Sequence, residues 1–115
     1  MDKFATAQLG RLADLLDELA TARQTMSYAE AVETLTLSPP HRIRQLAEML
    51  EELMQHDASN GSALRAALIV SPRRGGIPAP GFFQQASQLG LYFGPKSGAQ
   101  AETFHQLELS RLLGD

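Results

Sequence analysis

The chain has 115 residues, a net charge of −3 and no cysteine. This length is typical of a single domain, and the absence of cysteine excludes disulfides, thiolate nucleophiles and cysteine-based zinc sites, which favours an intracellular, cytoplasmic location. We expect no membrane partner because no signal peptide or long apolar run occurs, and the negative net charge means that any nucleic-acid surface must be a local patch.

The N-terminal segment, residues 1–24, predicts an amphipathic helix from Lys3 to about Arg23. Apolar residues recur there at alternating steps of four and three, which places them along one helix face. The stripe either packs on the protein's own core or pairs with a second chain, as in a homodimer. Its members are Ala5, Leu9, Leu12, Leu16 and Leu19, and the four leucines are the candidate oligomer interface.

Two further helices follow in close succession. Ser27 and Glu30 have the spacing of a capping box, which predicts a short helix ending near Leu35. Ser38 as N-cap and Pro39 at the first helical position predict a longer helix from Pro39 to about His56. Its expected inward face is Ile43, Leu46, Ala47, Leu50, Leu53 and Met54, and its first turns contain His41, Arg42 and Arg44.

The C-terminal half predicts one short β element and two more helices. Residues 63–70 are apolar, end in β-branched side chains and predict a strand, and residues 73–76 predict a tight basic loop. A short helix over residues 81–89, stopped by Gly90, and a last helix over residues 99–113 complete the chain. The expected inward residues are Phe82, Phe83, Ala86, Leu89, Leu91, Tyr92, Phe93, Phe104, Leu107 and Leu112.

No pattern of residues predicts catalysis, a metal site or a cofactor. His41, His56 and His105 are isolated, without the helical spacing of a zinc site. The serines lack the glycine pattern of a nucleophile elbow. The acidic run Glu48, Glu51 and Glu52 is typical of a solvated helix face, and a hydrolase acting through it is the weaker alternative. We therefore expect a protein that is not an enzyme.

The order of elements favours a helix-turn-helix. We predict a mainly α fold, winged-helix-like, with one short β element and an extra N-terminal helix, divided into residues 1–24 and a domain over residues 25–115. Arg42 and Arg44 lie where a recognition helix contacts the major groove of DNA, and Arg73 and Arg74 lie where a wing contacts phosphate. Binding of double-stranded DNA is one hypothesis, and a protein-interaction or self-associating module is the alternative.

Three motifs resemble those of a group of small uncharacterised bacterial proteins. They are Ser27-Tyr28-Ala29-Glu30-Ala31, Pro39-Pro40-His41-Arg42-Ile43 and Gly76-Ile77-Pro78-Ala79-Pro80-Gly81-Phe82-Phe83. The resemblance covers most of the chain after Met26 and implies no activity.

The same region is more distantly similar to the DNA-binding domain of the alkylguanine-DNA alkyltransferases and the alkyltransferase-like proteins. The resemblance implies that Tyr28 helps to rotate a nucleotide out of the duplex and that Arg42 or Arg44 fills the vacated stack. The strand before the family's active site resembles Leu68-Ile69-Val70-Ser71-Pro72-Arg73. Ser71 stands where the family has its alkyl-accepting cysteine, so the resemblance does not extend to alkyl transfer. The candidate DNA-binding residues are therefore Tyr28, Arg42, Arg44, Arg73 and Arg74.

Overall fold

The elements of the fold are five α-helices, two short strands and two 3-10 helices in the part of the chain that the computed structural model describes, residues 3–114, with side chains from residue 6. The helices are α1 (Lys3–Ala22), α2 (Tyr28–Thr34), α3 (Arg42–Ser59), α4 (Pro80–Gln88) and α5 (Ala99–Leu113). The strands are β1 (Met26–Ser27) and β2 (Ile69–Val70), and the 3-10 helices are Arg65–Leu68 and Pro72–Arg74. The prediction of a mainly helical chain is confirmed, since 67% of the residues are helical. None of the helices in residues 3–114 is long and apolar enough to cross a membrane.

The strands form a two-stranded parallel sheet in which Met26 is opposite Ile69 and Ser27 is opposite Val70. The predicted strand over residues 63–70 is wrong for its first part, which forms the 3-10 helix Arg65–Leu68. The buried carboxylate of Asp57 accepts the Arg65 backbone N–H at 3.0 Å and pairs with its guanidinium at 2.9 Å. These contacts turn the backbone around Asp57, so only the last two residues remain extended.

The leucine stripe of α1 packs on the protein's own core. Leu12 and Leu16 have no exposed surface, Leu19 is 6% exposed, and Leu9 is half-buried against the same cluster. The side chain of Ala5 lies outside the described residues. One hydrophobic cluster therefore joins residues of the segments 1–24 and 25–115, and the buried leucines are not available on the surface of this chain.

The turn between α2 and α3 differs in part from the prediction. The capping box is confirmed, because the Glu30 N–H donates to Ser27 Oγ at 3.1 Å and the Ser27 N–H donates to Glu30 Oε1 at 3.2 Å. However, α3 begins at Arg42 rather than Pro39, and His41 is its N-cap in a left-handed conformation. The Gln45 amide donates to the carbonyls of Ser38 and Pro40 at 2.7 and 2.8 Å, which holds these residues in the turn.

The first turn of α3 also extends past the core. Ile43 was expected on the inward face with Leu46 and Leu50, and it is instead 49% exposed. It lines an open depression between α2 and α3. The later residues of the predicted face, Leu46, Leu50, Leu53 and Met54, are buried as expected.

The two C-terminal helices lie within one residue of their predicted bounds, and Phe104 and Leu112 of α5 pack against the core as predicted, whereas Leu107 does not. Leu107 is 59% exposed, whereas Ala101, His105 and Glu108 are buried. His105 Nε2 lies 2.8 Å from the carbonyl oxygen of Ala67, and Glu108 Oε1 accepts the Leu64 N–H at 2.9 Å. Hydrogen bonds to the 64–67 segment therefore orient α5 in addition to apolar packing.

The segment between α4 and α5 was expected to pack down, and it does so only at Tyr92. Tyr92 joins an aromatic cluster with Phe82, Phe83 and Phe104, in which the Tyr92 and Phe104 ring centroids are 4.7 Å apart. Leu91 is 45% exposed and Phe93 is 77% exposed, so the expectation for these two side chains was wrong.

Candidate functional site

The N-terminal turn of α3 places two of the predicted arginines, Arg42 and Arg44, at the edge of one depression. Arg42 is 39% exposed and pairs with Glu33 of α2 at 3.1 Å. Arg44 is exposed and makes no hydrogen bond or ion pair to another residue of the described chain. Both arginines line the depression that Ile43 also lines, together with His41 and residues of α2. Of the two guanidinium groups, Arg44 is the one free to meet an anion.

Tyr28 turns its hydroxyl toward the protein. Its Oη accepts the Ala79 N–H at 2.9 Å, and the ring is half-buried at the start of α2. Burial raises the pKa of the Tyr28 hydroxyl above its ordinary value, while the Ala79 N–H and the charge of Arg74 lower it to a smaller extent. The hydroxyl therefore has a structural partner in this chain.

The loop that contains Arg73 and Arg74 is closed by backbone hydrogen bonds. The Ser71 N–H donates to the Ile77 carbonyl at 2.8 Å, and the Gly76 N–H donates to the Ser71 carbonyl at 3.1 Å. Gly76 has a φ of 84°, in the left-handed region that glycine adopts without strain. The predicted tight basic loop is thus present after β2.

The two arginines of this loop have different environments. Arg73 is exposed and has no hydrogen-bond or ionic partner among residues 3–114. Arg74 is half-buried, and its Nε donates to the Pro78 carbonyl at 3.1 Å while its terminal nitrogen donates to the carbonyl of Lys96. Because both acceptors are neutral carbonyls, the Arg74 charge is not neutralised by a carboxylate there.

The Arg74 side chain brings together two loops that are distant in sequence. It links the 71–77 loop to the loop over residues 90–98, which has Lys96 exposed on it. We call these two linked loops, with their three cations Arg73, Arg74 and Lys96, the cationic loop pair. The chain has no aspartate or glutamate between Asp57 and Glu102, and this acid-free run includes both loops. Lys96 belongs to no motif of the sequence, and this acid-free run is the only signal in the sequence that points to it.

The structure therefore divides the predicted DNA-binding residues by their neighbours. Tyr28 and Arg74 contact adjacent residues, since Tyr28 bonds the Ala79 N–H and Arg74 bonds the Pro78 carbonyl. Arg42 is instead held by Glu33 on the outer side of α2. Tyr28 and Ala29 are consecutive residues of α2 with different neighbours. Tyr28 contacts Ala79, and Ala29 lines the depression at the start of α3.

A small apolar cavity lies beside Tyr28, between α3 and α4. Its volume is about 100 Å³, and it is lined by Tyr28, Leu50, Met54 and Phe82 among others. Sites for small-molecule ligands are commonly several times larger. Within residues 3–114, no three side chains of histidine, aspartate or glutamate are grouped so as to hold a metal ion.

Comparison of the chain with protein-family models, with curated proteins and with solved structures finds no match.

Proposed function

We propose that this protein binds double-stranded DNA without catalysis, through the first turns of α3 and the loop after β2. The observation that carries the proposal is the cationic loop pair, whose three positive side chains lie in a stretch of chain without any carboxylate. Phosphate is the anion that such a surface meets in a nucleic acid, and release of its counterions drives binding. The acidic net charge of the chain does not oppose this, because screening confines electrostatic attraction to local patches.

The pairing of α2 with α3 supports the placement of DNA. The two helices are in contact, as the two helices of a helix-turn-helix are, although the turn over residues 35–41 is longer than the usual turn of about three to four residues. Arg44 and Ile43 extend from the first turn of the second helix into open solvent. In a recognition helix, that turn supplies the side chains that contact base edges. Arg44 is the residue we assign to this contact.

Glu33 limits the contribution of Arg42. Its carboxylate is 71% exposed and neutralises Arg42 at the edge of the same depression. A negative charge in this place repels phosphate, so Glu33→Gln removes the repulsion and releases Arg42. We expect this variant to bind duplex DNA more tightly than the natural chain, by several-fold at low salt.

Fluorescence anisotropy with a labelled duplex of about two helical turns tests the proposal. Binding is measured from about 50 to 200 mM salt for the natural chain and for Arg44→Gln, Arg73→Gln and Arg11→Gln. Each phosphate contact that is lost lowers the slope of log affinity against log salt by about 0.9, so Arg73→Gln loses both affinity and slope, whereas Arg44→Gln loses affinity through its base contact. Arg11 is an exposed arginine of α1 that serves as the matched control. Absence of binding at the lowest salt, or equal losses in all three variants, contradicts the proposal.

Self-association is a second candidate, favoured by a surface other than the leucine stripe of α1. Leu107 is 59% exposed on α5 and lies between two shallow depressions, both of which also contact Ala99 and Thr103. Glu102 and Arg111 lie toward opposite ends of this helix, so a second copy of α5 running antiparallel brings opposite charges together. Sedimentation velocity tests this self-association. We expect Leu107→Asp to abolish a concentration-dependent dimer and Gln106→Ala to leave it intact. A natural chain that is monomeric at every concentration excludes self-association through α5.

A further inference from the structure

The exposed aromatic side chain of Phe93 is unexplained by the core and by the contacts assigned above. It is 77% exposed, the largest exposed fraction among the large hydrophobic residues described. The neighbouring aromatic residues Phe82, Phe83, Tyr92 and Phe104 contact one another in the interior, and Phe93 stands outside that cluster. An apolar ring left in water has no stabilising role in the folded chain, since burial is what makes such a side chain favourable.

The loop that contains Phe93 is held by hydrogen bonds from three side chains. Gln100 Nε2 donates to the Phe93 carbonyl at 2.9 Å, the Tyr92 hydroxyl donates to the Pro95 carbonyl at 2.5 Å, and Arg74 donates to the Lys96 carbonyl. The Gln100 amide also packs so closely on Gly94 that a Cβ there would lie 2.5 Å from Nε2. The backbone is thus ordered before any partner arrives, which reduces the entropy lost on binding.

The charged side chains of the loop that contains Phe93, and of the loop that Arg74 links to it, are all positive, and the next carboxylate along the chain is Glu102 in the first turn of α5. Lys96 follows Phe93 by three residues, and Arg74 connects the loop to exposed Arg73. Carboxylates are absent from the sequence of both loops. An exposed ring with cations and without acids is complementary to a partner that has both flat apolar faces and regularly spaced negative charges.

We propose that the loop over residues 90–98 binds single-stranded nucleic acid, with an unpaired base stacked on Phe93 and adjacent phosphates paired with Lys96 and Arg73. This inference deepens the proposed function, on which it rests for the role of Arg73. Bases within a duplex already stack on one another, so their faces are not available to Phe93, whereas an unpaired base offers one. Stacking on an aromatic side chain tolerates any base, so little sequence preference is expected.

Alanine at position 93 tests the stacking contact. Affinity for a labelled oligothymidine is compared with affinity for the duplex in the natural chain, Phe93→Ala, Phe93→Tyr and the control Gln106→Ala, whose side chain is exposed on α5. We expect Phe93→Ala to weaken oligothymidine binding by about 5- to 150-fold, the range for loss of one base–aromatic stack. Duplex binding stays within about twofold, Phe93→Tyr keeps oligothymidine binding, and Gln106→Ala has no effect.

Tryptophan at the same position gives a direct signal. The chain contains no tryptophan, so Phe93→Trp places the sole indole in this loop. Stacking of a base on the indole quenches its emission, and the quenching declines with salt as the phosphate contacts are screened. A blue shift with phosphatidylglycerol vesicles and no quenching by oligothymidine identifies a membrane surface instead and overturns the inference.

The outcomes separate this inference from the proposed function. Unchanged oligothymidine binding by Phe93→Ala, or equal losses for oligothymidine and duplex, overturns the inference while duplex binding sensitive to Arg44→Gln still supports the proposed function. Oligothymidine binding that depends on Phe93, without any duplex binding, overturns the duplex proposal and leaves the inference standing. Absence of binding to either probe overturns both.

Discussion

Replacement of Glu108 by alanine tests how α5 is held against the rest of the chain. Glu108 is 5% exposed, and its Oε1 accepts the N–H of Leu64, a residue with no exposed surface. The other carboxylate oxygen pairs with Arg111 at 3.0 Å. Alanine therefore leaves the Leu64 N–H in the interior without its acceptor.

The expected cost follows from these two contacts. A buried N–H that loses its acceptor costs about 1–3 kcal/mol. Arg111 is 53% exposed, so its pair with Glu108 contributes at most about 0.5 kcal/mol. Glu108→Ala is thus expected to lower the free energy of unfolding by about 1–3.5 kcal/mol. Glu108→Gln keeps a neutral acceptor for the Leu64 N–H, and we expect about half that loss, because a charged acceptor bonds about twice as strongly as a neutral one.

Urea denaturation followed by far-UV circular dichroism measures these losses. Gln106→Ala is the matched control, since Gln106 is exposed on the same helix and is not hydrogen-bonded to the 64–67 segment. Its expected effect is below about 0.5 kcal/mol, as for most surface substitutions. A Glu108→Ala variant that unfolds at the same urea concentration as Gln106→Ala, or a Glu108→Gln variant no more stable than Glu108→Ala, would show that the Leu64 N–H does not depend on Glu108.

Three further substitutions probe separate features. Thr36 follows α2 with a φ of 50°, which is strained for a β-branched residue. Thr36→Gly is therefore expected to stabilise the fold by about 0.5–1 kcal/mol and to raise the thermal midpoint of unfolding. An unchanged or lower midpoint would speak against strain at this position. Burial lowers the pKa of His105 below 6.5, so the folded chain favours the neutral imidazole, which donates to the Ala67 carbonyl. The resulting contribution to stability is present above about pH 6.5 and is lost as the pH falls through the folded pKa. Subtracting the pH–stability curve of His105→Gln is expected to isolate this loss, and parallel curves would contradict it. Tyr28→Phe removes the acceptor of the Ala79 N–H and is expected to lower the free energy of unfolding, measured in urea, by about 1 kcal/mol. Its affinity for duplex DNA is expected to stay unchanged. A loss of affinity with intact stability would instead assign the hydroxyl to DNA.

Features of the fold could be predicted from the sequence where the interacting groups lie within a few residues of one another. The capping box of Ser27 and Glu30, and the positive φ of Gly90 after α4, depend on contacts inside one or two turns. The predicted start of α3 was wrong, because the Gln45 side chain donates to two carbonyls of the turn and keeps Pro39 outside the helix. The predicted strand over residues 63–70 was also wrong for its first part, where Asp57 determines the path of the backbone.

The candidate site shows the same division. Arg73 and Arg74 were both predicted from the basic loop. Only Arg74 is held by carbonyls of the protein, and its bond to the carbonyl of Lys96, 22 residues away, is one that no local pattern predicts. Arg42 was identified from its helix position, and its ion pair with Glu33 depends on how α2 and α3 pack.

The sequence by itself determined that the chain is mainly helical, where most helices end, and that its charges are segregated, because helical periodicity, capping and composition are properties of short stretches. Only the tertiary structure decided which apolar side chains are exposed and which charges are neutralised. Leu12 and Phe93 are equally apolar as isolated residues, yet one has no exposed surface and the other is 77% exposed. The difference lies in long-range packing and hydrogen bonds between residues far apart in the chain, and these contacts exist only once the helices have assembled.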